Sequence, residues 1–157
     1  MKTFVSLALG GNIGDTRKIF DQAAAALERG GFAVSARSGV FVTAPVDCDP
    51  GTPDFLNAAV TGFWEKSPRE LLELTRSIER ASGRPAEHSS RKARTLDIDI
   101  ITFGDMIVSE PDLVIPHPRA QLRRFVLEPL FAIAPDLTFP DSGLTVRRLL
   151  SWTPCSR

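Results

Sequence analysis

Asp97 and Asp99 stand two apart in the run Arg94-Thr95-Leu96-Asp97-Ile98-Asp99-Ile100. In a strand, successive side chains point to opposite faces. Leu96, Ile98 and Ile100 then share one face and the two carboxylates share the other. Their Cα atoms would lie roughly 6.5–7 Å apart at about 3.3 Å per residue. Carboxylates at that spacing can grip one hard cation or bridge a pair. Mg²⁺ suits them, because it takes one or two carboxylates and leaves its other positions to water and substrate phosphates. The competing reading is two surface acids on a solvated strand face, although Asp is depleted in strands.

Cations crowd around this pair. Arg76, Arg80, Arg84, Arg91, Lys92 and Arg94 precede it, and His117, Arg119, Arg123 and Arg124 follow. Guanidinium groups match phosphate oxygens in a bidentate way. Acids for Mg²⁺ with arginines for phosphate describe a polyphosphate site of the kind phosphoryl transfer requires. Arg76 and Arg80 read equally well as the exposed stripe of a helix, paired with Glu73 or Glu79. His117 sits between Pro116 and Pro118, which restrict the backbone around it. It can donate to a phosphate or act as an acid, or it is simply a surface residue in a Pro-rich turn.

A third constellation is Phe55 and Asn57, which point the same way in a strand. An aromatic ring beside an amide suits a heterocycle, stacking on its face and pairing with its edge. A core Phe at a strand start is the plainer alternative. The glycine-rich Leu9-Gly10-Gly11-Asn12-Ile13-Gly14-Asp15 follows a strand and opens a helix. It fails the dinucleotide pattern G-x-G-x-x-G, because Leu9 stands where glycine is needed, and no G-x-x-x-x-G-K-[ST] run exists. It reads as a tight turn capped by Asn12 or Asp15.

The elements that would position these residues follow from periodicity. Phe4–Leu9 is a short apolar strand stopped by glycine, and Asp15–Arg29 carries Ile19, Phe20, Ala23, Ala24 and Leu27 at helical spacing. Phe32–Val42 and Phe55–Phe63 read as strands, separated by a Pro-rich loop over Thr43–Pro53. Ser67-Pro68-Arg69-Glu70 opens a helix that stops near Gly83. Arg84–Ala93 is polar and aperiodic, a mobile loop, and Thr95–Phe103 is a strand to which Asp105–Glu110 could add a short hairpin. Short helical pieces lie around Phe125–Ile133 and Val146–Leu150. The order β-α-β-β-α-β with a C-terminal extension predicts an α+β, ferredoxin-like sandwich on a largely antiparallel sheet.

Composition limits the alternatives. The chain has 157 residues, with 19 Lys and Arg against 19 Asp and Glu, so its net charge is zero. That argues against a non-specific nucleic-acid coat, and no strand carries the RNP1 aromatics of an RNA-binding module. At 43% hydrophobic and 24% charged it has the makeup of a folded domain, not a disordered chain. The N-terminal apolar run is too short for a signal peptide or membrane span. The two cysteines, Cys48 and Cys155, make no disulfide framework or metal spacing, which points to a reduced, cytoplasmic setting.

With these residues in view, the chain resembles the 6-hydroxymethyl-7,8-dihydropterin pyrophosphokinase family across nearly its whole length. The resemblance rests on Arg94-Thr95-Leu96-Asp97-Ile98-Asp99, Pro116-His117-Pro118-Arg119 and Arg123-Arg124-Phe125-Val126-Leu127-Glu128-Pro129-Leu130. Thr43-Ala44-Pro45 and Phe55-Leu56-Asn57 match in order and spacing. It implies one domain over residues 1–157, acting in folate biosynthesis to transfer diphosphate from the co-substrate ATP to a pterin hydroxymethyl group. Asp97 and Asp99 would hold two Mg²⁺ ions. Arg84, Arg94, His117 and Arg123 would contact phosphates as catalytic residues. Phe55 and Phe125 would sandwich the pterin, with Asn57 at its edge beside Thr43, Ala44 and Val46. Arg76, Glu79 and Ile100 would meet the nucleotide. Partners would be small molecules alone, with neither nucleic acid nor membrane, and the chain a monomer.

The chain departs from the family pattern at several places. Arg91-Lys92-Ala93 stands where the family usually has Trp-Gly-Pro, Arg76 where it has Gln, Asp47 where it has Gly, and Glu87 where a basic residue is common. These changes keep open a relative acting on a modified pterin, or a weakly active pterin- or nucleotide-binding domain.

Overall fold

A computed structural model describes residues 2–43, 54–83 and 95–153. Strand β1 (Thr3–Gly11) runs through the sheet interior, with Val5, Leu7 and Leu9 buried on one face. Helix α1 (Thr16–Arg29) buries Phe20, Ala23, Ala24 and Leu27 against that face, the spacing an amphipathic helix needs. Asp15 caps it by accepting the N–H of Lys18. Helix α2 (Pro68–Ala81) buries Leu71, Thr75 and Ile78, and Ser67 and Glu70 close a reciprocal capping box at its start.

The glycines that were expected to stop the first strand do not. Gly10 and Gly11 stay in the ladder, and the turn begins at Asn12. The expected strand over residues 32–42 is two pieces, β2 (Ala33–Arg37) and β3 (Phe41–Thr43). Ser38 bridges the break: its N–H donates to Ala59 O, and its hydroxyl accepts the Ala59 N–H at 2.8 Å. Both pieces therefore stay against β4 (Phe55–Trp64).

The five-stranded sheet has the order β2-β4-β1-β5, with β3 also on β4, and every pairing is antiparallel. Strand β5 (Asp97–Phe103) lies at the edge, paired with β1, and bulges where the register skips Ile101. This is the ferredoxin-like arrangement expected from the element order. The short hairpin is not added to β5. Gly104, with φ 56°, turns the chain away, and β6 (Val108–Glu110) pairs with β7 (Leu113–Ile115). Arg69 of α2 ties down that hairpin through Glu110 and Asp112.

The C-terminal segment covers the other sheet face. Helices α3 (Arg124–Ile133) and α4 (Val146–Trp152) bury Val126, Leu127, Leu130, Val146 and Leu149 around Ala59, Ile101 and Phe139. Each fully buried large side chain contributes roughly 1.5–3 kcal/mol. This second core holds α3 on the face to which Asp97 and Asp99 point.

Candidate active site on the sheet face beneath helix α3

Register decides which side chains meet. Leu7, Leu9, Ile98 and Ile100 belong to the core under α1 and α2, so their neighbours Ala8, Gly10, Asp97 and Asp99 lie on the α3 face. Gly10 pairs with Asn57 on one side and Asp97 on the other, while Ala8 pairs with Ala59 and Asp99. Phe41 pairs with Asn57, and Thr43 with Phe55. The result is a row across four strands: an aromatic and amide end on β3 and β4, a floor of Gly10 and Ala8, and two carboxylates on β5.

The amide end is held in place. Asn57 is buried, and its Nδ2 donates to Thr43 Oγ1 at 3.1 Å. A Cβ on Gly10 would come to 3.4 Å from Asn57 Oδ1, so the missing side chain keeps that oxygen uncovered. Helix α3 packs over β4, β3 and β1, and Arg123 at its start lies within reach of the Asp99 charge. There the Arg123 guanidinium lies over the Phe125 ring, 5.5 Å from its centroid.

The cationic end lies by β5. His117 follows the cis Ile115–Pro116 bond, and its N–H donates to Ile101 O at 3.0 Å, beside the bulge of β5. Burial pulls the His117 pKa below the ordinary imidazole value, the Asp99 carboxylate opposes this, and Arg123 and Arg119 push it lower. Burial also lowers the Arg123 guanidinium, with Arg119 adding to the effect and Asp99 opposing it. His117 and Arg123 thus each feel the charges of Asp99 and Arg119. Because Nδ1 of His117 accepts the Arg119 N–H at 3.2 Å, the proton of the neutral ring resides on Nε2. The ring therefore offers an N–H donor without carrying charge.

The donor set fits Mg²⁺. Asp97 and Asp99 supply hard oxygens on one strand face, and Gly10 leaves the place beside Asp97 without a side chain. A Mg²⁺ ion held by one or two carboxylates typically takes its other ligands from water and substrate phosphates.

Comparison with known proteins places the chain in a family. Residues 6–135 match the model of the family described as 7,8-dihydro-6-hydroxymethylpterin-pyrophosphokinase (HPPK). The chain belongs to the HPPK family. It is 42% identical over 146 residues to the 2-amino-4-hydroxy-6-hydroxymethyldihydropteridine pyrophosphokinase of Methylorubrum extorquens, covering 92% of this chain and 90% of that protein. It is 43% identical over 126 residues to the mitochondrial folate synthesis bifunctional protein of Arabidopsis thaliana, covering 80% of this chain but 22% of that protein. The crystal structure of wild-type Plasmodium falciparum HPPK-DHPS with pteroate shares the fold, with a TM-score of 0.73 at 14% identity, over 97% of this chain and 42% of that one. The chain therefore spans well under half the length of some relatives it matches.

Within this HPPK frame, Thr43, Phe55, Asn57, Asp97, Asp99, His117, Arg123 and Phe125 converge on the α3 face or its rim. Arg76 and Glu79 do not; they lie on α2, on the far side of β5. Arg76 Nη1 is 3.5 Å from Asp112, and Glu79 Oε2 accepts the Ile98 N–H at 2.7 Å. The Ile100 side chain is in the core under α1 and α2, which leaves its backbone as the part that can meet a ligand. Ala44, Val46, Arg84 and Arg94 lie outside the described residues, as do the loop over Arg84–Ala93 and the departures at Asp47, Glu87 and Arg91-Lys92-Ala93. The sequence marks Gly10 only as part of a turn. The available signal was a glycine next to an apolar strand, which marks close approach of a ligand or backbone.

Proposed function

We propose that this chain transfers diphosphate from ATP to the hydroxymethyl group of 6-hydroxymethyl-7,8-dihydropterin, giving AMP and the pterin diphosphate in folate biosynthesis. The observation that carries this reading is the row Asn57–Gly10–Asp97 across three adjacent strands. In this reading the Asn57 end takes the heterocycle and the Asp97 end the polyphosphate, on one surface. Membership in the HPPK family and the name of the Methylorubrum relative support it.

In this mechanism the hydroxymethyl oxygen bonds to the β-phosphorus of ATP as the bond from that phosphorus to the α,β-bridging oxygen breaks. AMP leaves with that oxygen, and the hydroxyl proton passes to water. Phe55 and Phe125 hold the pterin face, and the Asn57 amide reads its edge, which fixes the direction of attack. Arg123 and the Nε2–H of His117 stabilise charge on the transferring oxygens, with Arg84 and Arg94 in the same role. Arg76, Glu79 and the Ile100 backbone meet the nucleotide, and Thr43, Ala44 and Val46 border the pterin. Two Mg²⁺ ions on Asp97 and Asp99 would supply neutralisation of the triphosphate charge. No side chain need act as general base, because phosphoryl transfer rests on positioning and charge.

The two carboxylates favour a transferase over a pterin-binding module, which has no use for them. The same proposal takes residues 1–157 as one domain, working as a monomer on small molecules in the cytoplasm. Among the described residues no helix is long and apolar enough to cross a membrane. The test is incubation with ATP, MgCl₂ and 6-hydroxymethyl-7,8-dihydropterin, followed by chromatography of the nucleotides. AMP appearing with a pterin diphosphate is the expected result. Measurable pterin binding without AMP would overturn the reading in favour of a binding domain.

A further inference from the structure

Glu79 projects from α2 to the outer edge of β5, where its Oε2 accepts the backbone N–H of Ile98 at 2.7 Å. Ile98 is the residue between Asp97 and Asp99. Among the described residues strand β5 has one ladder partner in the sheet, β1, and Asp97 is its first residue. An edge strand leaves alternate N–H groups unpaired, and its end is where pairing frays. The Ile98 side chain is packed in the core, so its amide has no freedom to turn toward solvent. We propose that Glu79 is a positioning residue for the metal-binding carboxylates, fixing the Asp97–Ile98 peptide so that both acids keep one face and one spacing.

This inference rests on the metal role given to Asp97 and Asp99 above. It assigns to Glu79 a task that a nucleotide contact does not require. The base of the tether is rigid. Ile78, the preceding residue of α2, is buried in the core with Leu71, and the capping box holds the helix start. A carboxylate accepting a backbone N–H makes a charge-assisted bond. It anchors the strand against the mutual repulsion of two acids that point the same way. Partners that orient metal ligands from outside typically cost about 10- to 100-fold in metal affinity or activity when removed.

The experiment compares Glu79→Gln, Glu79→Ala and Glu79→Asp. Gln keeps an acceptor oxygen at the same reach without charge, and Asp keeps the charge but falls one methylene short. Each is titrated with Mn²⁺ in the presence of α,β-methylene-ATP, reading free Mn²⁺ by electron paramagnetic resonance. Exchange of the Ile98 amide is followed by NMR. Glu79→Ala and Glu79→Asp should weaken Mn²⁺ binding about tenfold and speed Ile98 exchange, while Glu79→Gln restores both. Unchanged Mn²⁺ binding in Glu79→Ala would overturn the proposal, as would a Gln variant as weak as Ala with its Ile98 amide still protected. Should Glu79→Ala fail to fold, the Gln and Asp pair decides alone. A wild-type chain that makes no AMP while the variants still divide this way would sink the transfer reading and leave the tether standing.

Discussion

Gly10 and Asn57 are register partners, and a Cβ on Gly10 would come within 3.4 Å of Asn57 Oδ1 and 3.8 Å of Leu56 O. The glycine therefore preserves the open side of an amide that is otherwise committed, through Nδ2, to Thr43. Gly10→Ala should leave the fold intact, because β1 keeps its ladder on both sides. It should set a methyl group in van der Waals contact over Asn57 Oδ1, screening that acceptor, and cost about one hydrogen bond, roughly 0.5–1.5 kcal/mol of pterin affinity. Calorimetric titration with the pterin checks this; unaltered affinity would remove Asn57 Oδ1 from the site.

Asp97→Ala and Asp99→Ala should lower AMP formation on the order of 100- to 1,000-fold, the scale seen when charge stabilisation is removed from a transfer site. Both side chains are at least partly exposed, so circular dichroism should stay that of the parent chain. An unfolded variant would mark the acid as structural.

Phe125→Ala should weaken pterin binding by about 1–3 kcal/mol, the usual worth of stacking a heterocycle on an aromatic ring. ATP affinity should fall less. Arg123 loses the ring beneath its guanidinium but keeps its backbone bond to Ala120. Equal losses for the two ligands would rule out the stacking role.

The capping box of α2 predicts a pH effect on stability. Hydrogen bonds from the backbone and hydroxyl of Ser67 hold the Glu70 carboxyl below its ordinary value, against an opposing effect of desolvation and with Lys66 adding a lesser lowering. A depressed folded-state pKa adds stability that is present above the unfolded value, about 4.3. It is lost as pH falls through the folded value. Ser67→Ala should destabilise by about 1 kcal/mol at neutral pH. The gap from the parent chain should narrow in acid, and urea unfolding at pH 7 and pH 3 measures it. A gap that is constant with pH would separate Glu70 from the cap.

Much was legible before the fold was known, because it is local. Period-two alternation around Asp97 and Asp99 told which face they take, and the Ser67-Pro68-Arg69-Glu70 run marked a helix start. The β-α-β-β-α-β order, with its apolar stripes, left one sensible way to bury them. Other features were decided by contacts between residues far apart in the chain. The split of residues 32–42 into β2 and β3 follows from Ser38 bonding Ala59. The place of Gly10 between Asn57 and Asp97 follows from three-strand register, which no single segment encodes. The reach of Glu79 to the Ile98 amide depends on how α2 settles over the edge of β5. Hydrophobic pattern and capping act within a few residues and can be read along the chain; register, edge exposure and shared charge arise only when distant strands are paired.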